Sequence, residues 1–308
     1  DATSEMRSMS LDEGTLDLAE AMFGTVRGER GGMAGRIFVE DARLHPEQSR
    51  TNLWLEGNPV VMPRILGGPK PTTFQHYLTQ PQPDVEKGKG LKTYNDRGQT
   101  TLRGHKLYWH AQRDLKRNEF EERPLTPKQL EEDKQHTQIK PVRPGVRFHF
   151  RVRFENLLSQ ELGLLLWAVK LPAGDGYAHK IGMGKPLGLG SARLRSTLTV
   201  IEPKIRYETF LDNAGNHLAL GEVRVIEADA VRDFESLATQ ALKLDAGARF
   251  AETVRMRSLL TMLRWPGPDS SETAYMSIGV DEETNKITDT NQFKERPVLP
   301  DPLSIRER

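Results

Sequence analysis

A strict alternation of apolar and basic side chains over residues 146–155 constrains the fold more than any other feature. The apolar members are Phe148, Phe150, Val152 and Phe154, and the basic members are Arg147, His149, Arg151 and Arg153. Successive side chains of a strand point to opposite faces, so this period of two predicts a strand with one apolar face and one basic face.

A helix is expected directly after this strand. Residues 156–159 offer N-cap side chains, and Leu162, Leu165, Leu166 and Val169 recur on one side of a helix that ends near Leu171 and Pro172. A Gly-rich loop over residues 174–190 follows. It leads into residues 192–201, which alternate again and predict another strand.

Upstream of this block the sequence predicts a short helix over residues 14–24 and a strand over residues 36–42. The order is then helix, strand, strand, helix, Gly-rich loop, strand. A β-α-β-β-α-β unit has this order if its first strand is missing. We therefore expect an α+β, RNA-recognition-like (ferredoxin-like) fold that lacks its first strand, with that strand upstream of Asp1.

Four regions are predicted along the 308 residues. Residues 1–44 hold the first helix and the second strand, and residues 45–145 form a large insertion without long periodic patterns. Residues 146–206 complete the domain and contain the Gly-rich loop. Residues 207–308 form a C-terminal extension, with helices over residues 230–244 and 248–263 and an irregular tail.

Composition excludes several classes of protein. The 44 Lys and Arg residues balance 43 Asp and Glu residues, so the chain is neither a uniformly basic coat nor an acidic tail protein. Without Cys it has no disulfide, thiolate metal site or Cys nucleophile. Mean hydropathy is −0.59 and no apolar run is long enough for a membrane span, so a cytoplasmic protein without a membrane partner is expected.

The balanced total conceals a basic middle. Residues 101–155 contain thirteen Lys and Arg against eight Asp and Glu, and residues 170–206 contain seven against two. Basic stretches of this kind are typical of surfaces that bind a phosphate backbone, although a solvated sheet face accounts for the same charge.

The densest motif is HKIGMGKPLGLGSAR, which begins at His179. Lys185 is followed by Pro186, where a Walker A loop requires Ser or Thr, and the loop joins a helix to a strand, the reverse of a dinucleotide fingerprint. Glycines without Cβ atoms let backbone amides approach a phosphodiester, and Lys180, Lys185 and Arg193 add charge. A tight connection that needs positive φ angles is the alternative; four glycines interleaved with Lys favour phosphate binding over it.

A second cluster mixes basic and aromatic side chains, the combination used for single-stranded nucleic acid. It comprises Arg103, Lys106, Tyr108, Trp109 and His110, and Lys70 in a Gly-Pro turn is a further phosphate contact. His105 and His110 lack a nearby acidic partner before Asp114, so no metal site is predicted.

Catalytic motifs are absent from the sequence: it has no G-x-S-x-G and no H-E-x-x-H. No catalytic residue and no cofactor are predicted. His179, beside the Gly-rich loop, is the best lone candidate for acid–base chemistry, but a phosphate or ribose contact is favoured for it.

Several blocks together resemble a known family. They are residues 23–24, 35–38, 41–42, 67–71, 103–110, 154–157, 161–163 and 179–190, together with Tyr77. In this order they resemble the CRISPR-associated RAMP superfamily. More narrowly, the sequence is similar to the backbone-type RAMP subunits of type III-D systems and to the giant single-chain RAMP effector of type III-E.

The resemblance implies a module that binds guide (CRISPR) RNA by its backbone in an RNA-targeting effector of antiviral defence. Its expected partners are guide RNA, target RNA, neighbouring RAMP subunits or domains of the same effector, and a possible regulatory protein on the insertion or tail. The expected RNA contacts are His179, Lys180, Gly182, Gly184, Lys185, Gly188, Gly190, Ser191, Arg193, Arg103, Lys106, Tyr108, Trp109, His110 and Lys70.

The family cuts target RNA with an acidic residue between the first strand and first helix, and no position here inherits that role. Two alternatives remain open at this point. One is an endoribonuclease that processes the guide precursor with His179 or His110 as the acid or base. The other is a scaffold whose insertion and tail bind a protein regulator.

Overall fold

Short strands and helices alternate in a computed structural model of the chain. It describes residues 16–26, 31–68, 70, 72–80, 90–96, 98, 100–112, 115–172, 176–208, 221–224, 227–273, 276, 278–280 and 287–306. The fold is α+β, and the strands of the described residues form two-stranded antiparallel ladders. The predicted class is therefore confirmed at this coarse level.

The helices and strands have the following bounds. The helices are α1 (Leu18–Phe23), α2 (Phe74–Tyr77), α3 (Arg117–Phe120), α4 (Pro127–Glu132), α5 (Ser159–Lys170), α6 (Pro203–Glu208), α7 (Ala228–Ala241), α8 (Val254–Leu263), α9 (Ser270–Thr273), α10 (Gln292–Glu295) and α11 (Pro302–Arg306). The strands are β1 (Thr25–Val26), β2 (Gly32–Met33), β3 (Ile37–Val39), β4 (Arg43–Leu44), β5 (Phe148–His149), β6 (Val152–Phe154), β7 (His179–Lys180), β8 (Ser191–Ala192), β9 (Thr199–Ile201), β10 (Glu222–Arg224), β11 (Ile278–Val280) and β12 (Ile287–Asn291).

The two strands predicted on either side of the insertion pair with each other. β3 runs antiparallel to β6, and β4 runs antiparallel to β5. The insertion lies between β4 and β5, so its two ends are held next to each other by this pairing. Only some of the apolar side chains in the alternating stretch are packed against the core. Phe154 packs beneath α5, whereas Phe148 and Phe150 are exposed.

Helix α5 matches its prediction because both of its ends are fixed by local chemistry. The backbone amide of Leu158 donates to the buried Glu161 carboxylate at 2.8 Å, and Arg36 pairs with the same carboxylate. Burial alone would raise the pKa of Glu161, and the Arg36 guanidinium and the Leu158 amide bring the pKa below its usual value. At the other end Leu171 has a φ of 58° before Pro172, which stops the helix.

The main core joins α5 to the C-terminal helices. Trp167 and Leu171 pack with Phe234 of α7 and with Leu260 and Leu263 of α8. Helices α5 and α7 approach closely at Gly163, where a Cβ atom would lie 1.9 Å from the carbonyl oxygen of Ala230. The C-terminal helices are therefore part of the domain core and not a separate extension.

The insertion has a small core of its own, built from Val61 and Phe120 with Ile139 packed against them. Leu187 of the Gly-rich loop enters this cluster and is itself buried. The insertion and the Gly-rich loop therefore share one apolar core.

Two predictions are wrong in detail. Residues 192–201 do not form one strand: β8 pairs with β7, and β9 pairs with β10, because each end has a different hydrogen-bonding partner. The C-terminal tail is not irregular throughout, since it contains α10 and α11. Residues 1–15, including the predicted helix start at Gly14, lie outside the described residues. Among the described helices, none has the length and apolar character needed to span a bilayer.

Candidate nucleic-acid interface

The Gly-rich loop is the tip of a β-hairpin. His179 pairs with Ala192 and Lys180 with Ser191, and the amide of Ile181 donates to the carbonyl of Gly190 at 2.8 Å. Between the strands, residues Lys185–Leu187 form one turn of 3-10 helix. The loop was expected to connect a helix to a long strand, and instead it closes on its own two short strands.

All four central glycines adopt a backbone that other residues rarely adopt. Their φ values are 82° at Gly182, 70° at Gly184, 88° at Gly188 and 78° at Gly190. A Cβ atom at Gly190 would lie 2.0 Å from the carbonyl oxygen of Ile181, whereas one at Gly182 would meet no atom within 4 Å. Turn geometry alone therefore requires every glycine of the motif, and their number is not by itself a sign of phosphate binding.

Lys180 points into the loop. Its ammonium donates to the carbonyl oxygens of Gly188 at 2.9 Å and of Leu189 at 2.8 Å. Burial, assisted by the nearby charge of Lys185, lowers the pKa of Lys180 to about 8. This side chain fastens the loop from inside, a structural role that the sequence interpretation did not assign to it.

The outer surface of the hairpin is different. Ile181 and Met183 at the tip are 64% and 70% exposed, and Gly182 between them is also exposed. The half-buried Lys185 makes no hydrogen bond or ion pair with a described residue. The tip thus offers backbone, apolar surface and one cation to solvent.

A cleft of about 370 Å³ lies at the base of the hairpin. Its polar lining residues are Lys170, Tyr177, His179, Arg193, Arg195 and Ser196. The Arg193 guanidinium lies over the ring of Trp265, 5.6 Å from the ring centre, and Lys170 forms an ion pair with Glu227. A cleft with two arginines and an aromatic neighbour has the chemistry to hold a phosphate next to a nucleobase.

His179 and His110 are both engaged within the protein. His179 Nε2 lies 2.9 Å from the carbonyl oxygen of Val169. His110 is 1% exposed, with Nε2 3.0 Å from the Ala178 carbonyl and Nδ1 2.7 Å from the Ser191 hydroxyl. A carbonyl only accepts, so Nε2 of His110 donates to Ala178, and in the neutral ring Nδ1 then accepts from the Ser191 hydroxyl. His110 therefore has no access to a bound RNA, either as a contact or as a catalytic group.

Two other basic members of the second cluster differ in their contacts. Arg103 donates to the carbonyl oxygens of Leu299 at 2.6 Å and Pro300 at 2.8 Å, and burial lowers its pKa. Exposed Lys106 lies over the Tyr108 ring, 5.3 Å from its centre. Arg103 was expected to contact RNA, and the structure instead shows it docking the tail.

The predicted site residues thus fall into separate groups. Residues 179–193 and His110 come together at the hairpin, Arg103 holds the tail, and no described contact joins Lys70 to the hairpin. The sequence analysis missed Tyr177, which lines the cleft, and Trp265, whose ring lies under the Arg193 guanidinium. The only sequence signal was the run Trp265-Pro266-Gly267-Pro268, which was interpreted as the end of a helix.

Within the described ranges, no group of three or more His, Asp and Glu side chains is arranged to hold a metal ion. No protein-family model matches the chain, and no curated protein matches it at a significant level. The site must therefore be interpreted from its own geometry.

Proposed function

We propose that this chain is a guide-RNA-binding segment of a type III CRISPR effector, with the RNA-recognition-like fold of the RAMP superfamily. It holds the RNA backbone and carries no cleavage residue of its own. Besides guide RNA, the partners in this proposal are target RNA and neighbouring RAMP subunits or domains of the same effector. The motif resemblance suggests the family, and the geometry of the hairpin supports an RNA-binding role.

The observation that carries the proposal is the contrast between the inside and the outside of the hairpin. Inside, Lys180 and Leu187 hold the loop in one shape. Outside, the backbone at Gly182 is exposed, and Lys185 follows it along the same loop. A fixed loop loses little conformational entropy when it binds, and backbone amides with a nearby cation suit phosphate oxygens.

The cleft extends this surface from the hairpin tip to its base. Arg193 and Arg195 bring two guanidinium groups, and the Trp265 ring keeps Arg193 in place. Guanidinium groups bind phosphates through paired hydrogen bonds, and aromatic rings stack on unpaired bases of any sequence. A single-stranded RNA that crosses both features would be recognised by its backbone.

The test uses the variant Lys185→Ala/Arg193→Ala, which removes one cation from the hairpin tip and one from the cleft. Binding of a fluorescein-labelled single-stranded RNA is measured by anisotropy at several salt concentrations. We expect affinity to fall at least about tenfold, since a charge-assisted hydrogen bond contributes about 1.5–3 kcal/mol. The slope of log affinity against log salt should decrease by about 1.4 for two lost phosphate contacts.

The matched control is Lys128→Ala/Lys134→Ala, which removes the same charge from two exposed positions of the insertion. Its RNA affinity and salt slope should stay close to those of the unmodified chain. Equal losses in the two double variants would mean that RNA responds to net charge alone, and unchanged binding in the first variant would refute the proposed site.

A further inference from the structure

The tip of the Gly-rich hairpin carries two large apolar side chains that do not contribute to the core of the protein. Ile181 and Met183 are 64% and 70% exposed, and neither belongs to an apolar cluster of the described residues. They come directly after β7 and lie on either side of Gly182. Because apolar side chains gain free energy when they leave water, this pair favours a contact outside the chain.

The turn itself does not require apolar residues at these two positions. Its positive φ value of 82° lies at Gly182, and the two neighbouring residues have no positive φ. A polar residue would therefore fit the same backbone at either position. Turn geometry accounts for Gly182 but not for Ile181 and Met183.

The direction and stiffness of the Ile181 side chain suit an outward contact. The Ile181 amide donates to the Gly190 carbonyl at 2.8 Å, which continues the ladder of β7 and β8 by one residue. Successive side chains in a ladder lie on opposite faces, and the preceding Lys180 is turned inward onto two loop carbonyls. Ile181 therefore lies on the outer face, and its β-branched side chain has few χ1 rotamers.

From this geometry we propose that Ile181 and Met183 form an apolar wedge, which enters between two neighbouring bases of a single-stranded RNA and separates them. The inference rests on the proposed RNA binding and adds a contact with the bases to the contacts with the backbone. Ile and Met are among the apolar side chains that proteins insert between base steps. The apolar contact with the base faces then offsets the stacking that is lost.

The charges beside the tip favour RNA over a protein surface as the occupant. Lys185 follows Met183 by two positions, and Arg193 and Arg195 line the cleft at the base of the hairpin. Residues 179–192 contain no Asp or Glu. In a single strand each base face lies next to a phosphate, so one ligand supplies both the apolar and the anionic groups that complement this surface.

The test uses the whole chain and an oligoadenylate of about eight nucleotides with 2-aminopurine in its middle. Stacking quenches the fluorescence of 2-aminopurine, and separation from a neighbouring base restores it. At saturating protein the fluorescence should rise at least about 1.5-fold, because the wedge opens a base step. In Ile181→Ser/Met183→Ser the rise at saturation should be lost, while the dependence of affinity on salt stays unchanged because no phosphate contact is removed.

Two further variants serve as controls. Leu130→Ser/Val254→Ser removes apolar side chains that are 52% and 68% exposed outside the hairpin, and it should keep the full rise. Lys185→Ala/Arg193→Ala should need more protein to reach saturation but should then show the same rise, because it leaves the wedge in place.

The outcomes separate the wedge from RNA binding itself. A rise that survives in Ile181→Ser/Met183→Ser would overturn the wedge, and so would the absence of a rise when anisotropy shows that the RNA is saturated with the unmodified chain. Both results would leave the proposed function standing. A chain that binds no RNA in the anisotropy measurement would refute the proposed function together with the wedge.

Discussion

The Gly-rich hairpin, residues 179–192, and the aromatic–basic segment, residues 102–110, carry similar residue types but contribute differently to the molecule. In the hairpin one lysine is turned inward onto the Gly188 and Leu189 carbonyls, and the tip remains exposed. In the segment His110 is buried and Arg103 is bound to the tail. The segment mainly connects parts of the protein, whereas the hairpin presents a surface.

The difference shows that charge and aromatic content do not distinguish a binding surface from an internal connection. What distinguishes them is the set of hydrogen-bond partners that the rest of the chain supplies. Arg103 meets two backbone carbonyls, and a charged donor satisfied in this way loses its value as a phosphate contact. Three experiments test this contrast.

The largest effect is expected for His110→Ala. It removes a buried ring and leaves the Ala178 carbonyl and the Ser191 hydroxyl without their partner, so the free energy of unfolding should fall by about 3 kcal/mol. Urea denaturation gives the value. The exposed neighbour His105→Ala is the control and should change stability by less than about 0.5 kcal/mol. Similar values for the two variants would contradict the internal role of His110.

A smaller effect is expected for Arg103→Gln. Loss of the two bonds to Leu299 and Pro300 should open the tail locally, at a cost of about 1 kcal/mol, and raise hydrogen exchange over residues 292–306 about fivefold. RNA affinity should match that of Arg123→Gln, an exposed site with the same change in charge. A selective loss of RNA affinity with an unchanged tail would assign Arg103 to the RNA surface instead.

A pH-dependent effect is expected for Lys180. Its pKa of about 8 in the folded chain is below the ordinary value of 10.5, so between these values the unfolded state binds more protons. The penalty for burying the charge is present below pH 8 and is relieved as pH rises towards 10.5.

Relative to Lys180→Met, the unmodified chain should therefore gain stability across this interval, as measured by urea denaturation at several pH values. The exposed Lys134→Met variant is the control and should follow the unmodified chain. A constant difference between the unmodified chain and Lys180→Met over the interval would contradict burial of the ammonium.

Local periodicity was enough to predict much of the fold. Leu162, Leu166 and Val169 predicted the helix that became α5, and Pro172 predicted its end. The strands around the insertion were found because Ile37 and Phe154 belong to β-branched and aromatic runs that meet in the ladder. These signals come from residues that are at most a few positions apart along the chain, so they can be recognised in a single sequence.

Contacts between distant segments could not be predicted in the same way. Nothing near His110 indicates that Ser191 and Ala178 will surround its ring, and nothing near Arg103 indicates Leu299. The break between β8 and β9 has the same origin, because β9 found a partner in β10 that the alternation over residues 192–201 does not reveal. Such pairings depend on tertiary context, which overrides local pattern.

The burial of Leu187 with Val61 and Phe120 also limits how this chain can be recombined. Replacing residues 45–145 with a short linker would remove the apolar side chains against which Leu187 packs. A hairpin transferred to another protein would lack the same contacts. The two segments are therefore expected to be inherited as a pair. A design that transfers the hairpin or the insertion to another protein should also transfer the apolar side chains with which it packs.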